Sequence, residues 1–313
     1  MAGYIGRATE ALAEHTGPKI GGLLNATLGN AAELIITLVA IRSGLVELVK
    51  ASITGSILGN LLLVLGFSMF AGGIKHHVQH FDRHQAANNS TLLIMIVLTM
   101  GIPSLFSHSI GAEGSWAVES LSLGVAIIMI LLYVLGLAYS LRVAHSPLSQ
   151  SLEPKALRPT WSVGFALLVL VLSTAGIAWL SELLVGSVEA VVVDLGWSEF
   201  FLGIILIPIV GNVAEHLVAV QSALRNQMDL SVEIAISSSL QIALFVAPLL
   251  VLISLWIGHP LTLVFNPLEL LALLSGVIIA AMVSVDGESN WLEGAALLGV
   301  YLILAWSFFL VPV

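Results

Sequence analysis

The sequence predicts an all-α polytopic membrane protein made of two inverted-topology repeats of about five transmembrane helices, the first helix missing or truncated. Three observations predict this. The chain is 58% hydrophobic and only 9% charged, against roughly 25% charged in a soluble domain. Its apolar residues gather into segments of spanning length. A short polar motif inside one segment returns, in register, inside a later one.

Segments near the ~20 residues that cross a bilayer lie at about 20–41, 51–73, 91–110, 118–141, 161–184, 200–224, 232–257, 262–284 and 291–311. A stub at 4–15 carries Arg7, Glu10 and Glu14 and is too short and too polar to span alone. The start, Met1-Ala2-Gly3-Tyr4-Ile5-Gly6-Arg7, has no apolar run and is no secretory signal.

The connecting loops set the orientation. If the nine segments alternate, one side holds Lys19, Lys75, Arg83, Arg142, Lys155, Arg158 and Arg225, and the other holds Arg42 and Lys50. The basic excess places the first side in the cytoplasm and the C-terminus outside. The longest loop, 142–160, contains Pro147, Pro154 and Pro159. It is expected to be a cytoplasmic linker between a first repeat, 1–141, and a second, 161–313.

The repeat is read from Gly29-Asn30-Ala31-Ala32-Glu33 and Gly211-Asn212-Val213-Ala214-Glu215, which lie 182 residues apart. The same offset pairs Ser56 with Ser238, Leu58 with Leu240, Gly59 with Gln241 and Gly21 with Gly203. A second element in register makes chance a poor explanation. Under the alternation the two motif spans run in opposite directions, as inverted repeats do. A full span, 161–184, precedes the second motif, and only the stub precedes the first. Glu10 then pairs with Glu189 across a short gap, and a first-half helix is expected to be absent or cut short.

Glu33 and Glu215 lie well inside their spans. An ionised carboxylate at the bilayer centre costs roughly 2.5–3.5 kcal/mol on insertion scales, and no Lys or Arg stands at that depth. Protons or a bound cation are left to neutralise the pair. Asn30 and Glu33 are three apart, as are Asn212 and Glu215, so each motif turns an amide oxygen and a carboxylate to one helix face. Gly29 and Gly211 loosen the helix beside that face. Pro208 removes a donor and frees a carbonyl in the preceding turn, and a helix opened there coordinates ions through its backbone. Such an all-oxygen site suits Ca²⁺, Mg²⁺ or Mn²⁺. The same motif also serves as a helix-packing device, with Gly for close approach and Asn for an interhelical bond. Two inverted copies, each with a central Glu, favour the ion site.

Gly55-Ser56-Ile57-Leu58-Gly59-Asn60 and Ser237-Ser238-Ser239-Leu240-Gln241 are small and polar runs within apolar spans. Asn60 and Gln241 have two readings, hydrogen-bonding to the carboxylates or a ligand water, and tight helix packing. Two carboxylates accept two protons or one divalent ion and are neutral either way. Exchange of at least two protons per Ca²⁺ is therefore expected, the pair titrating as a coupled unit. His216 follows Glu215 and serves either as a proton acceptor or as packing. His76, His77, His80 and His84, with Lys75 and Arg83, read as a solvated loop with pH sensing or metal binding as the other reading. Glu182, Glu189, Asp194 and Glu199 read as exposed loop acids, or as a collector of cations at the outer mouth.

At these positions the chain resembles the calcium/proton exchanger family within the cation/Ca²⁺ exchanger superfamily. The resemblance runs over nearly the whole chain. It is carried by Gly21 to Glu33 (GGLLNATLGNAAE), Gly55 to Leu62 (GSILGNLL), Pro208 to His216 (PIVGNVAEH) and Ser237 to Ala243 (SSSLQIA). It implies Ca²⁺ export or sequestration driven by a proton gradient, with Glu33 and Glu215 as central ligands and the two GN-containing helices lining the pathway. It also implies H⁺ before Na⁺ as counter-ion. The chain departs from that family by supplying nine spans and a stub against eleven. Its loop 142–160 has only Glu153 where the family often has an acidic helix.

The composition excludes other classes. With no cysteine, disulfides, Cys-bound zinc, iron–sulfur clusters and thiol catalysis are out. A net charge of −9 argues against nucleic acid. No cofactor is expected beyond the transported Ca²⁺ and H⁺, and the partners are those ions and the lipid bilayer. Paired carboxylates also serve intramembrane hydrolases, but hydrolysis gives no reason for an inverted duplication. A compact chain without targeting segments points to a prokaryotic plasma membrane.

Overall fold

The computed structural model describes residues 1–16, 24, 27–140 and 161–311. The expected linker, 142–160, lies outside them, as do Lys19, Gly21 and most of the first half of segment 20–41.

Ten helices make up most of the described chain, with further helical residues at 27–28 just before the first motif. In the first half these are α1 (Ala2–Thr16), α2 (Ala31–Arg42), α3 (Val46–His76), α4 (Arg83–Ile110) and α5 (Trp116–Ser140). In the second they are α6 (Val163–Leu195), α7 (Glu199–Leu224), α8 (Met228–Ile257), α9 (Pro267–Val283) and α10 (Trp291–Phe309). Seven of them, all but α1, α2 and α9, are long and apolar enough to cross a membrane. The short antiparallel pair β1 (Val78–His80) and β2 (Glu288–Asn290) joins the α3–α4 turn to the α9–α10 turn.

Local chemistry sets the helix ends. The Asp82 carboxylate accepts from the amides of His84 and Gln85 and starts α4. Asn266 and Asn290, with Glu269 and Glu293, form capping boxes on α9 and α10. Gly196 (φ +67°) and Gly258 (φ +89°) close α6 and α8 in the left-handed region, where a side chain is strained.

The interior is built around α3 and α8, whose apolar windows are 72% and 61% buried. The corresponding windows of α6 and α10 are 17% and 22% buried and face outward. A π turn interrupts α3 at Gly59–Val64 and α8 at Ile242–Val246, places that the offset of 182 superimposes to within one residue. A third, Leu202–Leu206, lies in α7 just before Pro208. A π turn takes its donor from i+5, so a carbonyl that loses its i+4 donor to proline is served by the next residue. Segment 200–224 is therefore a continuous helix and not an opened one. In the first half the chain does leave the helix, in a turn at Gly29–Asn30.

The described contacts between loops fall into two groups. Lys75 and His76 reach the Leu224 carbonyl, Gln79 reaches Ala223 and Asn226, and β1 pairs with β2, all at one end. Lys50, Glu113 and Thr262 meet at the other. This is the grouping that nine alternating spans require. Three details differ from the sequence reading. Helix α6 runs 33 residues, so Glu182, Glu189 and Asp194 stand on a helix and not in a loop. Segment 262–284 becomes helical only at Pro267, because the buried stretch from Leu261 to Phe265 precedes the Asn266 cap. The histidines are spread over the end of α3, strand β1 and the first turn of α4 rather than confined to one loop.

The stub is a helix in its own right. Helix α1 packs along α6, with Ile5 against Ile177 and Leu12 against Ala166. His15 bonds the Trp161 carbonyl at 2.8 Å. At 15 residues it is about 22 Å long, and Thr16 and Leu195, the ends of α1 and α6, keep the Glu10–Glu189 spacing. Helix α1 thus corresponds to the last part of α6 and is much shorter.

Helices α3 and α7 cross where glycine replaces side chains. A Cβ on Gly55 would collide with the Ile204 carbonyl in the α7 π turn, and one on Gly203 would lie 2.7 Å from the Leu48 oxygen. Gly59, one turn further along, has nothing within 4 Å. Gly55→Ala should destabilise the protein by about 1–3 kcal/mol and Gly59→Ala far less. Thermal unfolding of the detergent-purified variants checks this, and equal melting temperatures would refute the crossing.

Candidate functional site: a buried carboxylate pair

Four helices, α2 and α3 from the first half and α7 and α8 from the second, bring the motif side chains together. Asn30, Glu33, Ser56, Asn60, Asn212, Ser238 and Gln241 are all at most 5% exposed, and Glu215 is half-buried. Polar groups at this depth need partners, and they find them across the repeat.

The Asn212 amide donates to the Glu33 carboxylate and, at 3.5 Å, to the Ser56 hydroxyl. The Ser238 hydroxyl lies 3.2 Å from the Asn30 carbonyl oxygen and donates to Glu215 at 3.0 Å. Asn30 donates onward to Gln241 at 2.8 Å. Asn30–Ser238 and Asn212–Ser56 join equivalent residues with opposite polarity, Asn30 offering its side-chain oxygen to the Ser238 hydroxyl and Asn212 giving an amide hydrogen to Ser56. The second Glu33 oxygen is buried without a partner, as are Asn60 Nδ2 and Gln241 Nε2.

The carboxylates of Glu33 and Glu215 are close enough to oppose each other's charge. Among the described residues no Lys, Arg or His forms an ion pair with either. Nor do three His, Asp or Glu side chains converge on one point. Any cation here must therefore draw most of its ligands from amide, hydroxyl, backbone and water oxygens. Gly211 faces Glu33, but a Cβ there would stand 3.6 Å from Glu33 Cγ, an ordinary contact, so the spacing itself does not demand glycine. Gly29 is in the turn that precedes α2. His216 is half-buried on α7 with its Nε2 unpartnered.

The sequence reading missed a polar network at the end away from β1 and β2. It treated Lys50 as a loop residue, but Lys50 lies on α3 and is 2% exposed. Its ammonium pairs with Glu47 at 2.9 Å and with Glu113, which also accepts from Thr262 at 2.8 Å. Glu269, 2% exposed, caps α9 beside this group. The Asn266-Pro267 pair followed by Glu269 was the available signal, being the pattern of a capped helix start.

Comparison with known proteins matches this architecture. A family model described as sodium/calcium exchanger protein matches residues 1–142 and 165–310. The chain is 48% identical over 314 residues to the Ca(2+)/H(+) antiporter ChaA of Bacillus subtilis, covering 99% of this chain and 89% of that one. It is 43% identical over 328 residues to a Ca(2+)/H(+) antiporter of Aphanothece halophytica, covering 100% and 88%. Among solved structures, native YfkE superimposes with a TM-score of 0.85 at 46% identity, over 99% of this chain and 88% of that one.

Asn30→Ala removes both contacts that Asn30 makes to α8. It should cost about 1–3 kcal/mol, because Gln241 and Ser238 are left buried with fewer partners. Asn30→Asp keeps the acceptor for Ser238 and should cost a different amount. Thermal unfolding at fixed detergent and pH compares the two, and an unchanged melting temperature in Asn30→Ala would remove the cross-repeat bond from the account.

Proposed function

This chain belongs to the sodium/calcium exchanger family, in its calcium/proton exchanger branch, and from that premise we propose that it is a secondary active antiporter exchanging Ca²⁺ for H⁺. The chain is a multi-pass membrane protein and a transporter rather than an enzyme.

One observation carries the mechanism: Glu33 and Glu215, one from each repeat, are buried together with no fixed positive partner among the described residues. Glu33 and Glu215 are the metal ligands of this reading. Asn30, Asn212, Ser56 and Ser238 hold them and share in the oxygen set. Asn60 and Gln241 complete it through their amide oxygens or a ligand water, and Gly29 and Gly211 support it from the backbone beside each carboxylate. Ca²⁺ takes 6–8 oxygens, more than two carboxylates supply, so the amides and hydroxyls have work beyond packing. With Ca²⁺ bound, or with two protons, the pair is neutral, and only neutral forms pass readily through an occluded state. The unpartnered Nε2 of His216 supports a part in receiving the proton that leaves Glu215.

Alternating access follows if the two repeats, 1–141 and 161–313, rock about this centre, joined by 142–160. The Asn30–Ser238 and Asn212–Ser56 bonds span the two repeats and are the contacts that such a motion exchanges. In this reading the β1–β2 end faces the cytoplasm, the C-terminus lies outside, and the membrane is a prokaryotic plasma membrane.

⁴⁵Ca²⁺ uptake into sodium-free proteoliposomes with an imposed pH gradient tests the reading. Glu33→Gln and Glu215→Gln should each abolish uptake while eluting as folded protein. Full uptake in either would falsify the carboxylate pair as the exchange site.

Protons and Ca²⁺ compete for the same oxygens. Once the solution is acidic enough to protonate the free pair, apparent Ca²⁺ affinity should fall by about tenfold per competing proton per pH unit. Two protons therefore give a limiting slope of about 2 in log affinity against pH, and equilibrium ⁴⁵Ca²⁺ binding measures it. A slope of zero would remove proton competition from the mechanism.

A further inference from the structure

We propose a second divalent-cation site, separate from the buried pair, in the cleft between the N-terminal turns of α4 and α8. A cavity of about 20 Å³ opens there, lined by Asp82, Gln85, Asn89, Asp229 and Glu233. That is room for one bare ion or one water. Glu233 is 8% exposed and Asn89 is 2% exposed. Asn89 and Gln85 line the cavity, and the Asn89 side-chain oxygen and the Gln85 amide nitrogen are buried with no hydrogen-bond partner. Carboxylates alone at a helix start are ordinary. A buried amide oxygen left without a donor beside them is not, because it forfeits the bond that burial normally requires.

The repeat gives an independent argument. The offset of 182 places Asp229 where Glu47 stands in the first half, and Val232 where Lys50 stands. At the Glu47 end the Lys50 ammonium sits among the carboxylates. The acid is retained as Asp229, and hydrocarbon, Val232, stands at the lysine's position. Among the described residues no basic side chain pairs with Asp229. Asp229 instead accepts the Asp82 backbone amide at 2.6 Å, which draws the two helix starts together. A diffusible cation at this end would take the place that Lys50 holds at the other.

The ligand set is all oxygen: the Glu233 and Asp229 carboxylates and the Asn89 carbonyl, with the Gln85 amide free to hold a ligand water. That set fits Ca²⁺, Mg²⁺ or Mn²⁺ and not a soft metal. Asp229 is exposed and gives the ion its entry. From Glu233 the same helix rises about 7.5 Å over five residues to Ser238 beside the buried pair. The cleft is thus a first stop for a cation on its way to the exchange site. The naming of Ca²⁺ as the physiological ion rests on the exchange reading, and the existence of the site does not.

The test is Mn²⁺ binding to the full chain in detergent, read by electron paramagnetic resonance. The Glu33→Gln/Glu215→Gln double variant removes the buried pair and should still bind one Mn²⁺ per chain. Adding Asn89→Leu or Glu233→Gln should weaken that binding at least tenfold. Adding Asp229→Asn, an exposed change that keeps an oxygen for the Asp82 amide, should weaken it as well, and elution as folded protein controls for collapse of the buried variants. No bound Mn²⁺ in the double variant overturns the site, as does binding that the cleft substitutions leave unchanged. Retained Mn²⁺ together with ⁴⁵Ca²⁺ uptake that survives Glu215→Gln would sink the exchange reading and leave the cleft standing.

Discussion

Two carboxylates share one interior space without a fixed counter-charge among the described residues, and most of the architecture follows from that. A charge in a low-dielectric interior needs donors, a proton or a metal. The protein supplies donors sparingly: the Asn212 amide for Glu33 and the Ser238 hydroxyl for Glu215. One oxygen of Glu33 is left open. To bring even these donors within reach, α3 and α7 must approach backbone to backbone, so glycine is needed at 55 and 203. The π turns beside the site follow from the same demand, since π turns within long helices gather at functional positions.

The duplication explains why the donors come crosswise. Each asparagine bonds the serine of the opposite repeat, so neither half can complete its polar contacts alone. The two ends of the molecule do not share this symmetry. One end carries a buried ammonium ringed by acids, and the other a cleft of acids and amides. The two halves share a fold, but the two ends of the molecule differ in their charged groups.

Much of the fold was legible in the sequence because lipid imposes a simple rule on long helices: apolar residues for about 20 positions, then a break. Segments 91–110, 118–141, 200–224 and 291–311 became α4, α5, α7 and α10 with modest changes at the ends. The offset of 182 aligned the motif residues that meet in space. Hydropathy does not record where a helix stops once it leaves the membrane, so the length of α6 was not legible, and its acids read as a loop. Nor does composition mark a π turn, which adds one residue and no distinctive side chain. Lys50 was misplaced because a charge at the edge of an apolar segment usually reaches water. Its burial depends on Glu113 and Thr262, 63 and 212 positions away, and no local pattern reports them.

The ribbon of β1 and β2 is small, but its strands come from different repeats. Val78 lies opposite Asn290 and His80 opposite Glu288, and the neighbouring Gln79 side chain is tied to Ala223 and Asn226 of the second half. The covalent path between the halves is therefore not the only one. A chain severed between residues 141 and 161 would keep its two fragments registered through this clasp and through the interlocked asparagines. The two halves are thus laced together at one end as well as at the centre, and neither reaches its full set of polar contacts without the other.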